Sequence, residues 1–242
     1  MGRKQLKENA VAKDEKTRFA ALLRMDGCPI CRACNEQLEK SWFWFFKESY
    51  AEGLRVAKYV DYWGFCNHHT ELVAEIGPTW QKSVIYSSII EKKLRLLKEL
   101  PKRLRASATA PLPFEYIHAR RLRKIVQETR PNDRCLFCES VEETGHLAIA
   151  QLLRVLSDPE IKQLLSQSSG LCVHHFFQAL DSMNENNMIQ LGEIVELQIQ
   201  KLTSLKHDFE EYFRKSDWRL RHEPKGPEQT AWLRAMKMFN GI

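Results

Sequence analysis

The sequence predicts an all-α fold: a duplicated helical bundle of two pseudo-symmetric halves, each with a Cys3His metal site. Three observations predict it. No stretch alternates apolar and polar residues between hairpin turns, so strands are not expected. Only 10 glycines and 9 prolines occur among 242 residues, and they gather in short connectors between long stretches rich in Leu, Lys, Glu, Arg and Gln, the composition of helices. The third observation is a repeat. Cys28-Pro29-Ile30-Cys31 is answered by Gly64-Phe65-Cys66-Asn67-His68-His69, and Cys135-Leu136-Phe137-Cys138 by Gly170-Leu171-Cys172-Val173-His174-His175, with 34 and 33 residues between the inner cysteines.

The repeat and its connectors divide the chain. Residues 1–15 are polar and basic, expected to be flexible or loosely helical. Residues 16–105 form the first repeat. Phe19, Leu22 and Leu23 give a short apolar stripe stopped by Asp26-Gly27. A helix from Cys28 to about Tyr59 follows, containing Trp42-Phe43-Trp44-Phe45-Phe46; five consecutive aromatics point all round a helix, so cover is expected on nearly every side. Packing explains this block better than a ligand pocket lined by Trp42 and Trp44. Gly64 supplies a sharp turn before a short helix from Cys66 to Ile76. Pro78 opens the next helix, Thr79 to about Leu100, which Pro101 ends or bends.

Residues 106–113, Ala-Ser-Ala-Thr-Ala-Pro-Leu-Pro, read as a linker, and residues 114–216 as the second repeat. It opens with a basic helix from Phe114 to Thr129 and a turn at Arg130-Pro131-Asn132-Asp133. Ser157-Asp158-Pro159-Glu160 is an N-cap with proline at the first helical position, and Gly170 plays the part of Gly64. From Asn187 to Arg214, apolar residues at spacings of three and four make a long coiled-coil-like seam. Residues 217–242 form a C-terminal strap and short helix, because Pro224, Gly226 and Pro227 forbid a continuous helix while Trp232, Leu233, Met236 and Phe239 return to helical spacing. Arg219, Arg221, Glu223 and Glu228 read as an ion-pair cluster holding the strap in preference to a small polar pocket.

Cysteines two residues apart at a helix start, together with Cys-x-x-His on one helical face, supply tetrahedral ligand sets. The expected sets are Cys28, Cys31, Cys66 and His69, and Cys135, Cys138, Cys172 and His175. Soft sulfur with one imidazole selects Zn2+ first, and four protein ligands make a closed, structural site. An iron-sulfur cluster, a thiol switch and cysteines that only pack are the alternatives. His68 and His174 also repeat, but positions i and i+3 share a helical face, which favours His69 and His175. Cys34 offers a second pairing with Cys31 that fits the repeat less well, so it reads as a spare or buried thiol.

The net charge of +6 is uneven. Residues 91–134 hold 13 Lys and Arg against 5 Asp and Glu. Residues 92–105 and 120–124 are therefore the place for nucleic acid to bind, although a solvated helix face explains them better without interleaved aromatics. No apolar run is long enough for membrane insertion, and the N-terminus lacks a secretory or myristoylation signal, so a cytoplasmic location is expected. No nucleophile elbow, phosphate loop, dinucleotide fingerprint or His-Glu-x-x-His occurs, and no catalytic or cofactor-binding residue is assigned. The reading is a zinc-stabilised scaffold that binds a protein partner or itself. A metal- or thiol-dependent enzyme or redox sensor, and a nucleic-acid-binding module, are the alternatives.

These motifs also carry a resemblance. Cys-Pro-x-Cys at 28–31, the Gly-(Phe/Leu)-Cys-x-x-His segments, and a tail of the form Asp-Trp-Arg-x-x-x-Glu-Pro-x-Gly-x-Glu ending in Trp-x-Arg-Ala are together similar to a prokaryotic family of uncharacterised, duplicated Cys-x-x-Cys/Cys-x-x-His proteins. The resemblance spans nearly the whole chain. It implies a bacterial or archaeal cytosolic protein with two ligand sets, and no activity. Cys34 and the aromatic block depart from the family's first-half pattern.

Overall fold

The computed structural model describes residues 3–109, 120, 123–124, 127, 134–220 and 222–241. The expected basic helix from Phe114 to Thr129 and the turn at 130–133 lie almost wholly outside these. Among the described residues the chain is helical and has no strand. Ten α-helices are described: α1 (Arg3–Leu23), α2 (Pro29–Trp44), α3 (Gly53–Asp61), α4 (Asn67–Ile76), α5 (Thr79–Thr109), α6 (Leu136–Val155), α7 (Pro159–Gln167), α8 (Val173–Asp181), α9 (Met188–Lys215) and α10 (Ala231–Asn240). Helix α1 starts at Arg3, inside the segment expected to be loose. Helix α5 continues through Pro101 and takes in the first four residues of the expected linker.

The compact units are not the consecutive halves 16–105 and 114–216. One comprises residues 1–37 and 141–242, the other residues 38–140, and the chain passes between them within α2 and within α6.

In the unit of residues 38–140, the core is Trp42, Phe45, Phe46, Tyr59, Val60, Val73, Ile85, Ile89, Leu136 and Phe137. Trp42 stacks on Phe137 with ring centroids 3.9 Å apart and on Phe46 at 5.9 Å. The five aromatics are not all covered. Trp42, Phe45 and Phe46 stand at i, i+3 and i+4 and share one buried face, whereas Phe43 and Trp44 turn outward at 59% and 51% exposure. Lys47 lies over both outward rings. The expected helix from Cys28 to Tyr59 is interrupted: a π-turn at Phe45–Ser49 ends α2, and α3 restarts after Glu52 in extended backbone. The Tyr59 hydroxyl donates to the Tyr50 carbonyl at 3.0 Å, closing this break.

In the other unit, Phe19, Leu22 and Leu23 of α1 pack with Ile149, Leu152 and Leu156 of the α6 region, Ile161 and Leu165 of α7, and Leu191 and Ile194 of α9. Buried Glu15 accepts two bonds from Arg154 at 2.6 and 3.3 Å, so its charge is paired within the core edge. Asp158 caps α7 by accepting from the Glu160 N–H at 2.9 Å, with Pro159 at the first position, as the sequence predicts.

Helix α9 packs on α10 and on the Pro227–Thr230 turn. The strap is held by ion pairs, but not by a cluster of the four expected residues. Glu223 binds Arg214 at 2.6 Å and Glu228 binds Lys215 at 3.2 Å, both cations on α9, while Arg219 pairs with its neighbour Asp217 and Arg221 lies outside the described residues. Glu228 is 3% exposed. The Gly226 N–H donates to its carboxylate at 2.8 Å, and this bond, with the Lys215 ammonium, holds its pKa down to about 2. A carboxylate whose pKa is depressed on folding contributes stability that is present above its ordinary value of about 4.5 and lost as pH falls toward the folded value. E228Q should therefore lower the thermal midpoint at neutral pH, and the gap from the native protein should shrink progressively between pH 4.5 and 2. Parallel thermal melts across this range check both.

Candidate metal centres

The cysteines and histidines singled out by the repeat gather into two four-ligand groups, each lying within one compact unit. The partition differs from the expected one. Cys28 and Cys31 meet Cys172 and His175; Cys66 and His69 meet Cys135 and Cys138. Each Cys-x-x-Cys thus faces the Cys-x-x-His of the other copy, correcting the sets Cys28/Cys31/Cys66/His69 and Cys135/Cys138/Cys172/His175. The physical reason lies in helix length. The 16 residues of α2 and the 20 residues of α6 advance about 24 and 30 Å respectively, so each carries the chain well away from the cysteine pair that opens it.

Within each group all four ligand atoms lie within 4.8 Å of one another. A tetrahedral ion with metal–sulfur bonds of about 2.3 Å and metal–nitrogen bonds of about 2.0 Å needs S···S edges of about 3.8 Å and S···N edges of about 3.5 Å. In the first group Cys31 Sγ is 3.6 Å from Cys172 Sγ, and His175 Nδ1 is 3.1, 3.3 and 3.7 Å from Cys172, Cys31 and Cys28. In the second, Cys138 Sγ is 3.6 Å from Cys66 Sγ and 3.7 Å from Cys135 Sγ, with His69 Nδ1 3.2 to 3.5 Å from all three. These are the edges of two tetrahedra. The S···S distances far exceed a disulfide bond, and all seven cysteines are free thiols. The imidazoles that join the two groups are those of His69 and His175, both buried, while His68 and His174 are exposed. Cys34 joins neither group; it is buried and its thiol donates to the Val141 carbonyl at 3.5 Å.

Local structure places the ligands. Cys66 and Cys172 are the extended N-cap residues of α4 and α8, so the histidine three residues on lies in the first helical turn. Gly64 and Gly170 precede them with φ of +107° and +77°, a backbone turn that other residues rarely adopt. Around the first group, the Gly27 N–H donates to Ser169 Oγ at 3.0 Å and Ser169 donates to Asp26, tying the loop before Cys28 to the loop before Cys172. Buried Gln198 of α9 donates to the Leu171 carbonyl at 3.2 Å, fixing that loop from behind. Around the second group, Glu139, next to Cys138, accepts from Lys58 at 2.9 Å and from the Tyr62 hydroxyl, and Trp42 and Phe137 pack their rings 6.0 and 5.8 Å from His69.

Gly241 completes the first group. It caps α10 in the left-handed conformation, and a Cβ there would come within 3.1 Å of Cys31 Sγ and 3.4 Å of Cys172 Sγ. No pattern in the sequence marks its approach to the thiols. Ser169 and Gln198 likewise carry no motif that marks them as supports of the site.

The two groups hold their protons differently. Hydrogen bonds with Cys172 and Cys31 hold the Cys28 thiol far below its ordinary range, and the same contacts with burial push Cys31 up. Burial opposes charge on His175, but its bonds with Cys172 and Cys28 outweigh this and raise it to about 11, whereas burial lowers His69 to about 4. Burial also pushes Cys138 up to about 12. A metal ion that took these ligands as thiolates and neutral imidazoles would displace protons from both groups, so its retention falls as pH falls.

Among the described residues no helix is long and apolar enough to cross a membrane. No curated protein and no solved structure matches the chain. A family model does match, over residues 20–242, and the chain belongs to that family, the DUF6062 family of unknown function.

Proposed function

We propose that this protein is a non-enzymatic helical scaffold, fixed by two structural zinc ions, that binds a protein partner through its outer helical faces. The observation that carries this reading is the closure of both ligand groups: three sulfurs and an imidazole nitrogen surround one point at tetrahedral spacing, leaving no position for water or substrate. The same spacing favours a single ion over an iron-sulfur cluster, whose several irons spread the thiolates farther apart. Zinc suits three thiolates and an imidazole, and seven free cysteines suit a reducing cytosol. The prokaryotic, cytoplasmic setting implied by the motif resemblance belongs to this reading.

Exposed apolar side chains support partner binding. On α10, Trp232, Met236 and Phe239 stand at i, i+4 and i+7, all 45% exposed or more. The basic face of α5 supports nucleic-acid binding less, because Lys92, Arg95 and Lys102 are paired with Asp61, Glu91 and Glu99. Elemental analysis of protein purified without added metal tests the proposal. Two equivalents of zinc per chain are expected; a coloured, iron-containing protein or an absence of metal would overturn it.

A further inference from the structure

A cavity of about 290 Å³ adjoins the first metal group, with Cys28 and Cys172 forming part of its wall. Its other walls come from the Gln167–Leu171 loop, from α9 and from α10. Three cations line it: Lys201, Arg234 and Lys237. Two are already engaged with carboxylates. Lys237 pairs with Asp26, and Arg234 Nη2 bonds Asp208 at 2.8 Å and the Pro227 carbonyl at 2.7 Å. Two donors remain. Arg234 Nε is buried without a hydrogen-bond partner. The Lys201 ammonium, whose stem lies over Gly170, reaches the Ser166 carbonyl at 2.6 Å but meets no carboxylate among the described residues. Ser204, one turn along α9 from Lys201, adds a hydroxyl to the same cavity.

We propose that this cavity binds a small anion through a phosphoryl group, either free phosphate or a phosphomonoester, held by Lys201, Arg234 and Ser204. Lys201 and Ser204 bring donors from α9 and Arg234 brings one from α10, a convergence that suits the three acceptor oxygens of a phosphoryl group better than the two of a carboxylate. The volume sits at the lower edge of small-molecule pockets, so a phosphoryl group with a short remainder fills it. This goes beyond the scaffold reading and does not depend on which metal is bound. The competing role for Lys201 is to offset the negative charge of a metal–thiolate centre, since two of the thiols share its cavity.

Calorimetric titration of the metal-loaded full chain with inorganic phosphate, and in parallel with glycerol phosphate, against chloride at matched ionic strength tests the proposal. Saturable one-to-one binding is expected, weakened about tenfold or more in K201A and in S204A. Lys206, paired with Glu210 on the same helix, provides a control: K206A should bind like the native chain. Tighter binding of glycerol phosphate than of phosphate would assign the site to a phosphorylated metabolite, and the reverse to the free ion. No saturable binding of either probe would overturn the proposal. So would native phosphate affinity in K201A and S204A, with loss of metal in K201A then assigning Lys201 to charge compensation.

Discussion

Stripping the proposed zinc from both groups with a strong chelator is expected to unfold the protein. Each group gathers ligands from distant segments: 141 residues separate Cys31 from Cys172, and 72 separate Cys66 from Cys138. Ordering such loops around four polar side chains is costly without an ion to bind them. A structural zinc contributes apparent binding energies of about 10–16 kcal/mol, as large as the whole stability of an ordinary domain at about 5–15 kcal/mol. Loss of most of the helical circular dichroism, recovered on adding zinc back, is the expected result. A metal-free protein with native helicity and an unchanged thermal midpoint would show that the thiols and imidazoles only pack.

W42A is expected to destabilise the protein by about 3–5 kcal/mol. Trp42 is 4% exposed, stacked between Phe137 and Phe46, and 6.0 Å from the ring of His69. Its removal takes away a wall of the aromatic core that holds Phe137, one of the two residues between Cys135 and Cys138. Zinc should therefore leave the Cys66 group faster, with the Cys28 group unaffected. W44A, two residues on and half exposed, should fall within about 0.5 kcal/mol of the native protein, as surface substitutions do. Urea denaturation of the two variants, with zinc release followed by a chromogenic chelator, separates them.

Much of this architecture was legible in the residues. Helices followed from the distribution of Gly and Pro, the duplication from Cys28-x-x-Cys31 and Cys135-x-x-Cys138, and the histidine that joins each thiol group from i, i+3 spacing. What the spacing could not specify was which cysteine pair faces which Cys-x-x-His. The near-equal intervals of 34 and 33 residues fit a site within each repeat and a site across the repeats equally well. Helix lengths decide it, and that of α2 depends on a feature with a weak local signal, the π-turn at Phe45. The aromatic block misled for a related reason. Apolar character at Phe43 and Trp44 implied cover, but the three-and-four spacing of Trp42, Phe45 and Phe46 already fills the buried face. Gly241 over the thiols is a tertiary contact that no local pattern marks.

Each Cys/His group draws its members from both repeats, and the zinc content of two double variants distinguishes this from a site within each repeat. C28S/C172S removes two ligands from one group and should retain one zinc, while C28S/C66S removes one from each and should retain none. One zinc kept by C28S/C66S and none by C28S/C172S would instead place a metal site within each repeat.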